Sequence, residues 1–159
     1  MAGCHQLGCG EIHVVGRNLK KLAVFAESWL SAPIPVKLTI HSWTELSTLL
    51  PETGLLVNTT PVGMYPQVDR SPVSAADFTQ VNSQTIVYDL IYTPNPTEFL
   101  KQAKAVGSVS KAMPKGLIAV DGSEMLVQQG AAALKIWLGQ PVPVDVMRQA
   151  LKQKLGLVT

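Results

Sequence analysis

The sequence predicts an α/β protein, a mostly parallel, doubly wound sheet with helices on both faces. Three observations predict it. Short β-branched and apolar runs alternate with longer stretches whose apolar residues recur every three or four positions. Gly, Pro, Asn and Asp gather between these runs, as turns require. The alternation continues along the chain, the order that gives βαβ units and therefore parallel strands.

Residues 1–7 read as the tail of a helix stopped by Gly8 and Gly10, and 11–15 as a strand. Asn18 is placed to cap a helix running to Trp29, with Leu22, Phe25, Ala26 and Trp29 on one apolar face and Pro33 and Pro35 beyond its end. A second strand follows at 36–40, a short helix at 43–50, and a third strand at 55–58. Residues 59–72 are loop, 74–78 a short helix, 85–91 a strand and 96–105 a helix. The chain then predicts a short strand at 117–120, a long apolar helix at 123–138, and an amphipathic helix at 143–155 opened by a proline. At 159 residues this fits one domain, without repeats or low-complexity segments.

Composition narrows the function classes. A hydrophobic fraction of 47% with 15% charged residues describes a folded chain with a substantial core. The net charge is +2, and the basic residues neither run together nor interleave with aromatics, so no nucleic-acid partner is expected. No apolar run approaches the ~20 residues that span a bilayer, and the N-terminus lacks the order of a secretion signal. The expected location is cytoplasmic, with no membrane partner. Cys4 and Cys9 are too few for a disulfide framework, and with His5 and His13 they match no common zinc spacing, so no metal is expected.

An open parallel sheet binds its ligand outside the carboxyl ends of its strands, and four such ends carry chemistry here. The first is Gly16-Arg17-Asn18-Leu19-Lys20-Lys21, which sets three cations at a helix start. Helix N-termini are already partly positive, so this arrangement either calls for an anion or is solvated surface charge. Among βαβ units an acid after the second strand suits the ribose of NAD and an Arg suits the 2′-phosphate of NADP; this chain has Arg17. The second end, from Asn58, Thr59 and Thr60 to Gly63 and Met64, is a polar turn whose backbone and hydroxyls suit a ribose and nicotinamide, or form an ordinary loop.

The third end, Tyr88-Asp89-Leu90-Ile91-Tyr92-Thr93-Pro94, puts an acid inside an apolar run. Asp89 is expected to hold neighbouring backbone or hydroxyl groups, with Tyr92 free to offer its hydroxyl to a ligand. The fourth, Asp121-Gly122-Ser123-Glu124-Met125, opens the long helix, and Met125 and Gln129 lie on one side of it. By contrast Gly8-Cys9-Gly10 is no dinucleotide loop, because it follows a helix and precedes a strand.

Taken in order, the four ends resemble the C-terminal nucleotide-binding domain of the shikimate dehydrogenases. The first is similar to that family's Asn-Arg-Thr-x-x-Arg/Lys segment, which grips the NADP 2′-phosphate; here Gly16 and Asn18 replace Asn and Thr. Asn58-Thr59-Thr60 with Gly63-Met64 resembles its Asn-Thr/Ala-Thr-x-x-Gly-Met turn, and residues 88–97 its Tyr-Asp-x-x-Tyr-x-Pro-x-x-Thr run. Asp121-Gly122 through Met125 to Gln129 resembles the Asp/Asn-Gly-x-x-Met-Leu-x-x-Gln helix start. Residues 106–116 are longer than the family's usual link and read as an insertion.

The resemblance implies a Rossmann-like fold, missing its first strand and Gly-rich loop, in which a central gap leaves two neighbouring strands without a ladder partner. It implies NADP as cofactor, held by Gly16, Arg17, Asn18, Lys20, Lys21, Asn58, Thr59, Thr60, Gly63, Met64 and Met125, with Leu90 and Gly122 at the nicotinamide end. Tyr92 and Gln129 would reach the substrate, shikimate or 3-dehydroshikimate. No residue of this chain matches the family's catalytic Lys and Asp, which lie in the other half, so the chain alone is expected to be inactive, with a separate chain as a possible source of that half. The rivals are a non-catalytic nucleotide- or partner-binding module, and a quinate/shikimate or methylene-tetrahydrofolate type of dehydrogenase domain.

Overall fold

The computed structural model describes residues 2–30, 36–109 and 117–157, which fall into two compact units, Met1–Pro51 and Glu52–Thr159. In the first, helix α1 (Ala2–Gln6) ends on Gly8, whose φ of +82° favours glycine, and the Cys9 amide donates to the Cys4 carbonyl at 3.0 Å. Strand β1 (Glu11–Gly16) leads to helix α2 (Leu19–Leu30) and strand β2 (Lys37–Ser42). The two strands pair in parallel, from Glu11 opposite Lys37 to Gly16 opposite Ser42.

Alternation along this pair sets Ile12, Val14, Leu38 and Ile40 on one face and Glu11, His13, Lys37, Thr39 and His41 on the other. Helix α2 packs on the strands. A Cβ at Gly16 would stand 3.2 Å from a Leu22 methyl, so the absence of a side chain lets the helix close. Of the expected apolar face, Phe25 stays 38% exposed and stacks on Trp29 at 6.5 Å. After β2 the Glu45 carboxylate accepts from the Ser42 amide and hydroxyl, turning the chain into a 3₁₀ turn (Trp43–Glu45), helix α3 (Leu46–Leu49) and a second 3₁₀ turn (Leu50–Glu52). The helix expected at 43–50 is divided into three short pieces. Pro33 and Pro35 lie outside the described residues.

The second unit holds β3 (Leu55–Asn58), α4 (Ala75–Phe78), β4 (Ile86–Asp89), α5 (Glu98–Val109), β5 (Ile118–Val120), α6 (Ser123–Leu138) and α7 (Val144–Lys154). Its sheet is parallel in the order β3-β4-β5. The core sits around β4: Val87, Phe78, Phe99, Leu100 and Ala103 are buried, and the two phenyl rings meet at 5.4 Å. Helix α5 begins at Glu98 rather than 96, because Thr97 caps it, its hydroxyl accepting from the Leu100 amide at 3.4 Å.

Among the described residues every strand pairing is parallel, as expected, and the strands form one two-stranded and one three-stranded ladder. Among the described residues no ladder joins β1 or β2 to β3. Most of the proposed insertion, residues 110–116, lies outside the described residues.

Candidate functional site

In the first unit the candidate residues cluster at the carboxyl end of β1. Asn18 caps α2 as its sequence position required, its Oδ1 accepting from the Lys21 amide at 3.0 Å. Arg17, Lys20 and Lys21 are exposed, and none is ion-paired among the described residues. The first turn of α2 carries no acid. Three uncompensated cations at the positive end of a twelve-residue helix raise the local potential, and an anion relieves it.

In the second unit the loops after β3, β4 and β5 are tied together by buried polar groups. Asn58 at the end of β3 is only 3% exposed, and every hydrogen-bonding site of its side chain is used. Its Nδ2 donates to the Val62 carbonyl at 3.2 Å and to Asp89 Oδ1 at 3.0 Å, and its Oδ1 accepts from the Thr60 amide at 3.0 Å and the Thr60 hydroxyl at 2.8 Å. Asn58 and Thr60 therefore shape the turn, while Thr59 and Met64 stand exposed on it. Gly63 has φ +100°, and a Cβ there would lie 3.1 Å from the Arg70 carbonyl.

Asp89 is fully buried and does what the sequence asked of it. Besides Asn58 it accepts from the Ile91 amide at 3.1 Å and the Thr97 hydroxyl at 2.6 Å. Burial pushes its carboxyl above the usual range, and the bonds from Thr97, Ile91 and Asn58 only partly offset this. Asp121 goes the other way: burial works upward, but bonds from Ser123 and Asn95 outweigh it and hold the carboxyl low. Asn95 donates to Asp121 Oδ2 at 3.0 Å, joining the loop after β4 to the loop after β5. Sequence reasoning missed Asn95. Its one signal was a polar residue set between Pro94 and Pro96.

Leu90 and Gly122 meet directly. The Gly122 amide donates to the Ile91 carbonyl at 3.2 Å, and a Cβ on Gly122 would fall 2.0 Å from the Leu90 carbonyl oxygen. No other residue type fits this approach. From here α6 starts, with the Ser123 amide donating to Asp121 Oδ1 at 2.8 Å. Tyr92 is 38% exposed. Gln129 is exposed and Met125 half-buried, one helical turn apart. Neither Tyr92 nor Gln129 uses its side chain in a hydrogen bond among the described residues, which leaves the phenol and the amide available.

Among the described residues no group of three or more His, Cys, Asp or Glu side chains is arranged to hold a metal ion. No helix there is long and apolar enough to cross a membrane.

Fold and strand ends together define a Rossmann-like α/β protein. Comparison with known proteins narrows this. Residues 122–152 match the family model described as Shikimate 5'-dehydrogenase C-terminal domain. The shikimate dehydrogenase (NADP(+)) of Trichormus variabilis is 56% identical over 159 residues, covering 99% of this chain and 52% of that protein. Among solved structures, a chorismate mutase/shikimate 5-dehydrogenase fusion protein from Clostridium acetobutylicum is 32% identical with a TM-score of 0.65, over 92% of this chain and 45% of that one. The shikimate 5-dehydrogenase of Thermus thermophilus, crystallised with NADP(H) and shikimate, is 27% identical at the same TM-score of 0.65, over 89% of this chain and 45% of that one. The chain is thus similar to the shikimate dehydrogenases along nearly its whole length, and it spans about half the length of the curated relatives it matches.

Proposed function

We propose that this chain is the NADP-binding half of a shikimate dehydrogenase, a Rossmann-like domain over residues 1–159 that serves the reversible reduction of 3-dehydroshikimate to shikimate in the cytoplasm. The observation that carries the reading is the set of three cations, Arg17, Lys20 and Lys21, unpaired among the described residues, at the acid-free start of α2. The Arg17 guanidinium binds the 2′-phosphate bidentately, and the two lysines add charge around it.

The other residues take roles set by their surroundings. Asn58, Thr60 and Gly63 hold the turn against which the ribose lies, with Thr59 and Met64 at its surface. The bare backbone at Gly122, pressed on Leu90, lets the nicotinamide end approach closely, and Met125 borders it. Tyr92 and Gln129 present their free hydroxyl and amide to the substrate hydroxyls. When bound, the cofactor supplies the hydride. The catalytic Lys and Asp come from a second half, as a separate chain or as further sequence, so residues 1–159 do not turn over alone.

Calorimetric titration with NADP⁺ and NAD⁺ tests the proposal. NADP⁺ is expected to bind at least about tenfold more tightly, and Arg17→Ala to erase the difference. Equal affinity for the two, or an unchanged preference in Arg17→Ala, overturns it. A non-catalytic nucleotide-binding module keeps the cations but has no use for Tyr92 and Gln129. Shikimate that binds in the presence of NADP⁺ and loses affinity in Gln129→Ala speaks against that module, and quinate in place of shikimate tests which ring the site prefers.

A further inference from the structure

The polar face of the β1–β2 pair holds a cluster that the proposed function does not use. His13 Nδ1 and His41 Nε2 lie 3.0 Å apart, and the Thr39 hydroxyl lies 2.8 Å from the first and 3.1 Å from the second. Three polar atoms thus close a small triangle across the two strands. Linear hydrogen bonds cannot satisfy all three sides, because a ring nitrogen has one in-plane site and either donates or accepts there, never both. A cation at the triangle meets both nitrogen lone pairs and a hydroxyl lone pair at once.

The outer nitrogens add a second observation. His13 Nε2 is 3.8 Å from Glu11 Oε1, and His41 Nδ1 is 3.6 Å from Glu45 Oε1, ion-pair rather than hydrogen-bond distances. Both carboxylates are anchored, Glu11 by Lys37 Nζ at 2.8 Å and Glu45 by the Ser42 amide at 2.7 Å. A carboxylate behind each imidazole is the arrangement that orients metal-binding histidines and fixes their tautomer. We propose that His13 and His41, with the Thr39 hydroxyl between them, form a site for a borderline divalent transition ion such as Zn²⁺.

The spacing suits this chemistry. Two nitrogens bound tetrahedrally at about 2.0–2.1 Å stand about 3.3 Å apart, so the observed pair needs only a slight opening. The His13 and His41 side chains are 37% and 20% exposed, which gives an ion access and lets water complete its shell. Imidazole pairs favour Zn²⁺, Ni²⁺ and Cu²⁺ over Mg²⁺ and Ca²⁺. An ion held from both strands also staples a two-stranded sheet, which is marginal on its own.

Zn²⁺ alone is titrated calorimetrically into the 159-residue chain carrying Cys4→Ser and Cys9→Ser, which removes the competing thiols. One equivalent is expected to bind, with His13→Ala and His41→Ala each weakening it at least about tenfold, Glu45→Gln weakening it by about tenfold, and His5→Asn leaving it unchanged. Absence of binding, or binding that survives both His13→Ala and His41→Ala, overturns the site. A second measurement needs no variant at these positions. Without metal, His13 and His41 are expected to react with diethylpyrocarbonate, and with Zn²⁺ present to be protected, as read by mass spectrometry; equal modification in both conditions overturns the proposal.

Discussion

Asp89 joins more of the second unit's loops than any other side chain in the candidate site. It reaches Asn58, Ile91 and Thr97, and through them the turn before Gly63, the segment carrying Tyr92 and the cap of α5. Asp89→Ala leaves three buried donors without an acceptor and is expected to cost about 3 kcal/mol, measured by urea denaturation. Asp89→Asn separates shape from charge. Burial raises the carboxyl in the folded chain, so from its ordinary value upward the native state binds more protons than the unfolded one. Stability therefore falls as pH rises through that window and levels off above the raised value. Asp89→Asn is expected to remove this fall, and denaturation curves from about pH 4 to about pH 7 check the slope. At Gly122 the constraint is steric. Gly122→Ala drives a methyl into the Leu90 carbonyl, so the β5–α6 junction must shift. A loss of about 3 kcal/mol is expected, together with loss of NADP⁺ binding in the same titration.

Helices α6 and α7 are joined by one charged junction. Arg148 donates to Glu124 from Nε at 2.7 Å and from Nη2 at 2.8 Å, and its Nη1 donates to Asp145. The guanidinium, helped by Gln128, holds the Glu124 carboxyl down at about 2, against an ordinary value of 4.5. A depressed carboxyl stabilises the fold above its unfolded value and ceases to do so as pH falls through its folded one. Arg148→Met is therefore expected to lower the melting temperature near neutral pH, with the gap to the parent chain closing as pH falls from about 4.5 towards about 2. Salt should narrow the gap at neutral pH too, since the pair is exposed.

Elements of this kind were legible in the sequence where a local rule governs them. Ser123–Leu138 has a glycine at each boundary, and Leu55–Asn58 ends in turn residues, so both were placed to the residue. Asp89 and Asn18 were read correctly for the same reason: a buried acid needs donors, and an Asn before a helix caps it. Less was legible where the outcome depends on residues distant in sequence. The contact between Asn95 and Asp121 and the meeting of His13 with His41 are set by contacts that no periodicity encodes.

The two units differ in how much they bury. Of the largest fully buried side chains, Phe78, Phe99, Leu100, Val87, Thr85, Thr97 and Asp89 belong to the second unit and Leu50 alone to the first, while α2 has no buried residue. Burial of apolar area is the main source of stability, so the first unit is expected to open more readily. Hydrogen exchange should show it: amides of β4, bonded on both sides, exchange slowest, and those of β1 and β2 considerably faster. The proposed function adds a condition. Arg17, Lys20 and Lys21 sit in this weaker unit, so a ligand that engages them stabilises it by mass action, by about 2.7 kcal/mol at a hundredfold excess over Kd. NADP⁺ is thus expected to slow exchange through β1 and the start of α2, and NAD⁺ at the same concentration to do so far less. Slowing confined to the second unit with either nucleotide would place the phosphate elsewhere and remove Arg17 from the site.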